Sequence, residues 1–170
     1  MASQALSQPS LPLGTFGPVL AVHFLGTLGF SMAIPFLIFI VTDLGGAPWT
    51  YGLLGATYSA FQFAGAPILG RWSDVLGRRP VLVASQVGTL CAWILFLVAL
   101  SLPKSEGLVE IAGASITLPL LLVFLARALD GATGGNISVA NALVADLTAD
   151  TPGARQSAFG RMGQAGSLGF

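Results

Sequence analysis

Long apolar runs separated by short charged turns dominate the chain. No charged residue occurs before Asp43. The next are Arg71, Asp74, Arg78 and Arg79, then Lys104, Glu106 and Glu110, then Arg127 and Asp130, and finally Asp146, Asp150, Arg155 and Arg161. The intervals leave room for apolar helices of about 20 residues, the length a bilayer crossing needs. The pattern predicts spans over about 17–40, 51–69, 81–102 and 117–145, and a fifth that starts near Gln156 and is still running at Phe170. Pro80 suits the first position of the third helix. Residues 1–16 read as a polar, Pro-containing leader without Lys or Arg, whereas a cleaved signal peptide wants a basic start. Barrel strands alternate apolar and polar positions over about ten residues. These runs are longer and do not alternate, so the spans are helices. The fifth run, about 14 residues, is too short to cross, and the sequence is expected to be a fragment, a truncated product or part of a longer chain.

Composition narrows the class. Of 170 residues, seven are Lys or Arg and seven Asp or Glu, giving a net charge of zero; 8% are charged and 54% hydrophobic. The mean hydropathy is +0.83. Soluble domains carry about 25% charged residues, so a water-facing surface cannot be coated, and disorder needs low hydrophobicity with high charge. No basic patch exists to neutralise phosphates, so no nucleic-acid partner is expected. One cysteine, Cys91, and one histidine, His23, leave neither a disulfide nor a thiolate or multi-histidine metal site. No Gly-rich phosphate loop of the Walker type is present. No metal and no cofactor are expected; the lipid bilayer is the first partner.

Orientation follows from the basic residues of the short loops. Arg71, Arg78 and Arg79 lie between spans 2 and 3, and Arg155 and Arg161 lie between or just inside spans 4 and 5, against Lys104 alone on the other side. The N-terminus and these two connections are therefore expected in the cytoplasm, and the loop over about 103–116 outside.

Within the spans a few residues do not belong in lipid. Arg127 and Asp130 sit about ten residues into span 4, three apart and so on one helix face. Ionisable groups at that depth point to a proton or substrate relay lining a cavity, or to an ion pair locking neighbouring helices. Gly131 and Gly135 have the small-xxx-small spacing of close helix packing, and Asn136 and Ser138 add polar groups to the same stretch. Asn136-Ile-Ser138 matches the glycosylation sequon, but a position inside a span cannot be glycosylated. In span 1, His23 reads as a titrating group or a hydrogen-bonded interfacial side chain, and Pro35 as a kink. Gln62 in span 2 reads as cavity lining or as a bond to a neighbouring helix. Gly160, Gly163, Gly166 and Gly169 form a slowly drifting stripe on span 5.

The segment Gly70-Arg-Trp-Ser-Asp74-Val-Leu-Gly77-Arg78-Arg79-Pro80 carries the most information. Asp74 falls at the C-terminal end of span 2, where the helix dipole disfavours a carboxylate, and Asp146 repeats that conflict at the end of span 4. A local rule broken twice suggests compensating partners, with Arg78 and Arg79 the nearest. Gly77 permits the tight turn. Such charges form a latch if they associate in one conformation and separate in another.

These residues resemble the signature between helices 2 and 3 of the major facilitator superfamily, Gly-x-x-x-Asp-Arg/Lys-x-Gly-Arg-Arg/Lys. Gly70, Asp74, Gly77, Arg78 and Arg79 match it, and Val75 stands where a basic residue is usual. Arg127-Ala-Leu-Asp130-Gly131 resembles the Arg-x-x-x-Gly pattern of helix 4, and Ala145-Asp146-Leu-Thr148 the end of that helix. Within the superfamily the chain is similar to the tetracycline-resistance-like, multidrug-exporting proton antiporters, although the helix-1 region around Gly26 and Thr27 lacks the acidic residue common there. The resemblance implies an all-α integral membrane protein: the first four to five helices of a twelve-helix fold, with residues 17–170 forming part of a six-helix bundle. It implies secondary active transport by alternating access of two halves, with proton-coupled efflux of a small amphiphilic solute or drug. It implies coupling roles for Arg127 and Asp130, pairing of Arg78 with Asp146 at a cytoplasmic gate, and Asp74 facing the other half. The implied partners are protons, a small-molecule substrate and the remaining helices. The natural membrane is the plasma membrane, the inner membrane of a bacterium.

Two other classes compete with transport. An intramembrane enzyme using Ser115 and His23 lacks an orienting acid, so no enzyme is expected. A non-transporting membrane protein or inactive truncated fragment is the alternative to transport.

Overall fold

A computed structural model describes residues 13–103, 107–149 and 152–170, without the side chains of residues 13–15, 136 and 152. Most of the expected leader, Lys104, Glu106 and Asp150 lie outside the described residues. The elements are α1 (Leu13–Asp43), α2 (Pro48–Leu76), α3 (Arg78–Ser101), β1 (Val109–Ile111), β2 (Ala114–Ile116), α4 (Leu118–Thr133), α5 (Asn136–Leu147) and α6 (Pro152–Leu168). The architecture is that of an all-α membrane protein. Three described stretches are long and apolar enough to cross a bilayer: Phe16–Asp43, Arg78–Ser101 and Leu118–Leu147. At 1.5 Å per residue, the 29 residues of α2 also exceed the roughly 30 Å of a hydrocarbon core; that helix is less apolar and carries Arg71 and Asp74 near its end.

The span expected over about 117–145 falls on the apolar stretch Leu118–Leu147, which is built as two helices, α4 and α5, separated at Gly134 and Gly135. Unwound backbone at such a position is tolerated only where protein or a water-filled cavity satisfies it. Both glycines are buried, the Gly134 N–H donates to the Gly131 carbonyl at 3.0 Å, and Gln62 Nε2 donates to the Gly134 carbonyl at 3.4 Å. The loop expected over 103–116 contains an antiparallel hairpin pairing Val109 with Ile116 and Ile111 with Ala114. Its two-residue turn, Ala112 and Gly113, has positive φ at both positions, the geometry whose twist matches paired strands. An apolar loop interrupted by Ala-Gly does not announce this turn as Asn-Gly would.

The described residues divide into two compact units, one within Ala33–Val139 and the other formed by those up to Met32 with those from Ala140 to Phe170. In the first, α4 packs against both α2 and α3. The apolar core joins Leu37, Val41 and Leu44, from α1 and the turn after it, to Leu54 of α2, Phe96 and Ala99 of α3, and Leu120, Val123 and Ala126 of α4. Thr117 caps α4 by accepting from the Leu120 N–H at 3.3 Å, while its hydroxyl donates to the Leu44 carbonyl at 2.8 Å. The Ser115 N–H donates to the Gly45 carbonyl at 2.8 Å and Trp49 Nε1 to the Ala112 carbonyl at 3.2 Å. Hairpin and α1–α2 turn are thereby tied into one piece. In the second unit, α6 meets the first part of α1: a Cβ on Gly166 would press on His23 Nε2, and one on Gly169 would press on Phe24 and Thr27.

Candidate functional site

The close approach of α2, α3 and α4 builds the site. A Cβ on Gly65 or Gly131 would collide with backbone of the facing helix, at the carbonyls of Ala132 and Tyr58 respectively; one on Gly88 would collide with the Thr133 side chain. Small residues let helix backbones come this near. Side chains of neighbouring turns then face one another across the contact.

Arg127, the tenth residue of α4, is buried there. Its Nη1 donates to Asp130 Oδ2 at 2.9 Å, with side-chain exposures of 7% and 14%. The spacing of three places both on one face, and burial makes the pair consequential. A single buried charge left without its partner costs about 3–5 kcal/mol. The guanidinium lies over the Tyr58 ring of α2, 4.4 Å from its centroid. Gln62, one turn further along α2, donates from Nε2 to the Tyr58 hydroxyl at 3.2 Å as well as to the Gly134 carbonyl. The Thr133 hydroxyl donates to the Asp130 carbonyl at 3.4 Å, and from α3 the Thr89 hydroxyl lies 3.3 Å from that of Thr133 while the Ser85 hydroxyl donates to the Thr133 carbonyl. The result is a continuous polar path from Gln62 to Ser85 through an apolar bundle. Arg127 Nε and Gln86 Nε2 are buried without a hydrogen-bond partner. A crevice of about 10 Å³, lined by Ala92, Trp93, Phe96, Ala126, Arg127 and Asp130, adjoins the ion pair; that is close to the least volume that holds one water. A buried guanidinium donor beside an ion pair can orient a polar solute, and the carboxyl of the pair can hold a proton.

The structure thus brings Gln62, Arg127 and Asp130 together, with Gly131 packed on α2. Gly135 packs there too, its Cα facing Ala66 and Leu69. Asn136 opens α5 one residue beyond the break, and its side chain is outside the described part. His23 belongs to the other unit; its Nδ1 is buried without a partner. Tyr58, Ser85, Thr89 and Thr133 were not anticipated. The i, i+4 spacings of Tyr58 with Gln62 and of Ser85 with Thr89 were the available signal.

The second cluster surrounds the α2–α3 turn. Gly77 makes the turn with φ of 95°, a conformation that costs other residues strain. Arg78 Nη1 reaches Asp74 Oδ1 at 2.5 Å and donates to the buried Ser73 hydroxyl at 2.6 Å, whose own proton goes to the Gly70 carbonyl at 2.7 Å. Asp74, awkward at a helix C-terminus, therefore has a cation one turn on. Arg79 is exposed and Gly70 faces open space. Asp146, near the end of α5, is exposed and belongs to the other unit.

The family model described as Major Facilitator Superfamily matches residues 19–170. The chain is 37% identical over 120 residues to a class D tetracycline resistance protein of Salmonella ordonez, covering 71% of this chain and 25% of that protein. It is 33% identical over 147 residues to a class E tetracycline resistance protein of Escherichia coli, covering 85% and 31% respectively. It is 34% identical over 120 residues to major facilitator superfamily domain-containing protein 10 of Homo sapiens, covering 70% and 22%. The chain spans about a quarter to a third of the length of the tetracycline resistance proteins it matches. No solved structure matches.

Proposed function

Because the chain belongs to the major facilitator superfamily, a multi-pass membrane family, we propose that the full-length protein is a secondary active transporter that exports a small amphiphilic solute in exchange for protons. The observation that carries this reading is the Arg127–Asp130 pair, buried between packed helices within a polar path and one turn before a helix break. Charge of this kind inside a span is costly and finds its use in ion or proton pathways. Broken helices are where transporters of several folds build their sites. Tetracycline-like compounds are the substrate class, on the strength of the resistance proteins the chain is similar to.

In this reading Asp130 takes up and releases the coupled proton, and Arg127 senses its charge. With Asp130 ionised, the pair holds α4 in one arrangement. With Asp130 protonated, the attraction is lost and the bundle is free to take the other. Gln62 and Asn136 line the solute path beside them, and His23 is a further coupling residue. Gly70, Asp74, Gly77, Arg78, Arg79 and Asp146 form the cytoplasmic gate, with the N-terminus on the same side. The remaining helices of the longer protein supply the opposite wall, and alternating access is a rocking of the two halves in the bilayer, the inner membrane if the source is bacterial.

The test is uptake of tetracycline and ethidium into inverted vesicles carrying the full-length protein, with and without an imposed proton gradient. Wild type accumulates at least one probe only when the gradient is present. Asp130→Asn loses that dependence while still equilibrating the probe. Full gradient-driven accumulation by Asp130→Asn removes the reading.

A further inference from the structure

Tyr58 belongs to no motif matched above, and apart from its spacing to Gln62 nothing in its place in an apolar run marks it for a role. Its surroundings do. The ring lies against the Arg127 guanidinium at 4.4 Å, and a cation over an aromatic face is held more strongly the less water is present. The hydroxyl accepts from Gln62, the side chain that also satisfies the Gly134 carbonyl at the helix break. The Tyr58 backbone carbonyl lies where a Cβ on Gly131 would be, so α2 and α4 are in direct backbone contact at this residue.

Arg127 needs such a support. Its Nη1 is committed to Asp130, but its Nε has no partner. One hydrogen bond leaves a guanidinium free to swing about its long side chain, and the ring face removes that freedom. Asp130 is faced by Arg127 from its own helix, and Tyr58 by Arg127 across its ring and by Gln62 at its hydroxyl.

We propose that Tyr58 is a positioning residue for the coupling pair: its ring fixes the guanidinium plane against Asp130, and the Gln62 bond to its hydroxyl links that orientation to the backbone break at Gly134. The inference rests on the coupling role given to Arg127 and Asp130 and adds the residue that sets their geometry. A shift of the α4–α5 break reaches the ion pair through Gln62 and the ring without either charged residue being touched.

The experiment measures gradient-driven uptake of tetracycline and ethidium as a function of pH in vesicles carrying the full-length protein, for wild type, Tyr58→Leu, Tyr58→Phe, Gln62→Leu and Asp130→Asn side by side. Tyr58→Leu is expected to lower the maximal rate about tenfold, with the half-saturating probe concentration within about twofold, and to displace the pH midpoint by about half a unit or more. Tyr58→Phe keeps the ring and is expected to recover most of the rate. A Tyr58→Leu pH profile superimposable on wild type overturns the inference. If that variant does not accumulate in the membrane, Gln62→Leu decides: it frees the ring without removing it, and an unchanged midpoint likewise overturns the inference. Asp130→Asn separates the failures. Its loss of gradient dependence together with unaltered Tyr58 and Gln62 variants removes Tyr58 alone, whereas its full retention removes the coupling role and the inference with it.

Discussion

Asp74 sits 2.5 Å from Arg78 with its carboxylate 63% exposed. Exposed ion pairs contribute about 0–1 kcal/mol, so this one can break at little cost, as a contact that forms and separates during a cycle must. The latch reading predicts that Asp74→Asn lowers transport about tenfold while the amount of protein inserted is unchanged, measured by probe uptake and membrane fractionation on one preparation; unchanged uptake removes the latch. The conflict of Asp74 with its helix dipole was legible from position alone, and so was a cation one turn away. Arg127 and Asp130 were legible for a similar reason: a charge in an apolar run has no neutral explanation. Tyr58 was not, because an aromatic in such a run looks like a lipid contact until the facing helix is known. The same holds for Thr89 and Thr133, whose hydroxyls are common in helices and acquire meaning only as neighbours of Asp130.

At the scale of elements, helix packing depends on where side chains are missing. Gly131 was readable as half of a small-xxx-small pair; Gly65 and Gly88, its counterparts on α2 and α3, were not, since their facing partners depend on the register between helices. Gly131→Val places a branched side chain where the Tyr58 carbonyl already lies. Overpacking of this kind costs about 1–3 kcal/mol. The expected result is a fall of several degrees in the thermal midpoint of the detergent-solubilised full-length protein, with no such fall for Gly70→Ala, whose site is open. Equal midpoints for the two variants contradict the packing described for α2 and α4. The break between α4 and α5 escaped the sequence because Gly134-Gly135 lies in a stretch whose apolar length, Leu118–Leu147, already satisfies a single crossing. Backbone hydrogen bonding, which decides whether such a stretch is one helix or two, leaves little trace in hydropathy.

For the whole molecule, the long apolar runs were legible because a bilayer crossing imposes length, and the charge asymmetry of the loops carries an expected direction through the positive-inside bias. The orientation predicts a labelling pattern. With Cys91 changed to Ser, an impermeant maleimide should reach Val109→Cys in the exposed hairpin of intact cells, and should reach Val75→Cys near the α2–α3 turn only after the membrane is opened. Labelling of Val75→Cys in intact cells reverses the orientation and with it the gate. The coupling claim is tested most directly by recording protons themselves. Vesicles carrying the full-length protein, with a gradient of the transported probe but none of pH, should show proton movement opposite to the probe, and Asp130→Asn should pass the probe without moving protons. Probe flux in the wild type with no proton movement, or proton movement in Asp130→Asn equal to wild type, contradicts the account.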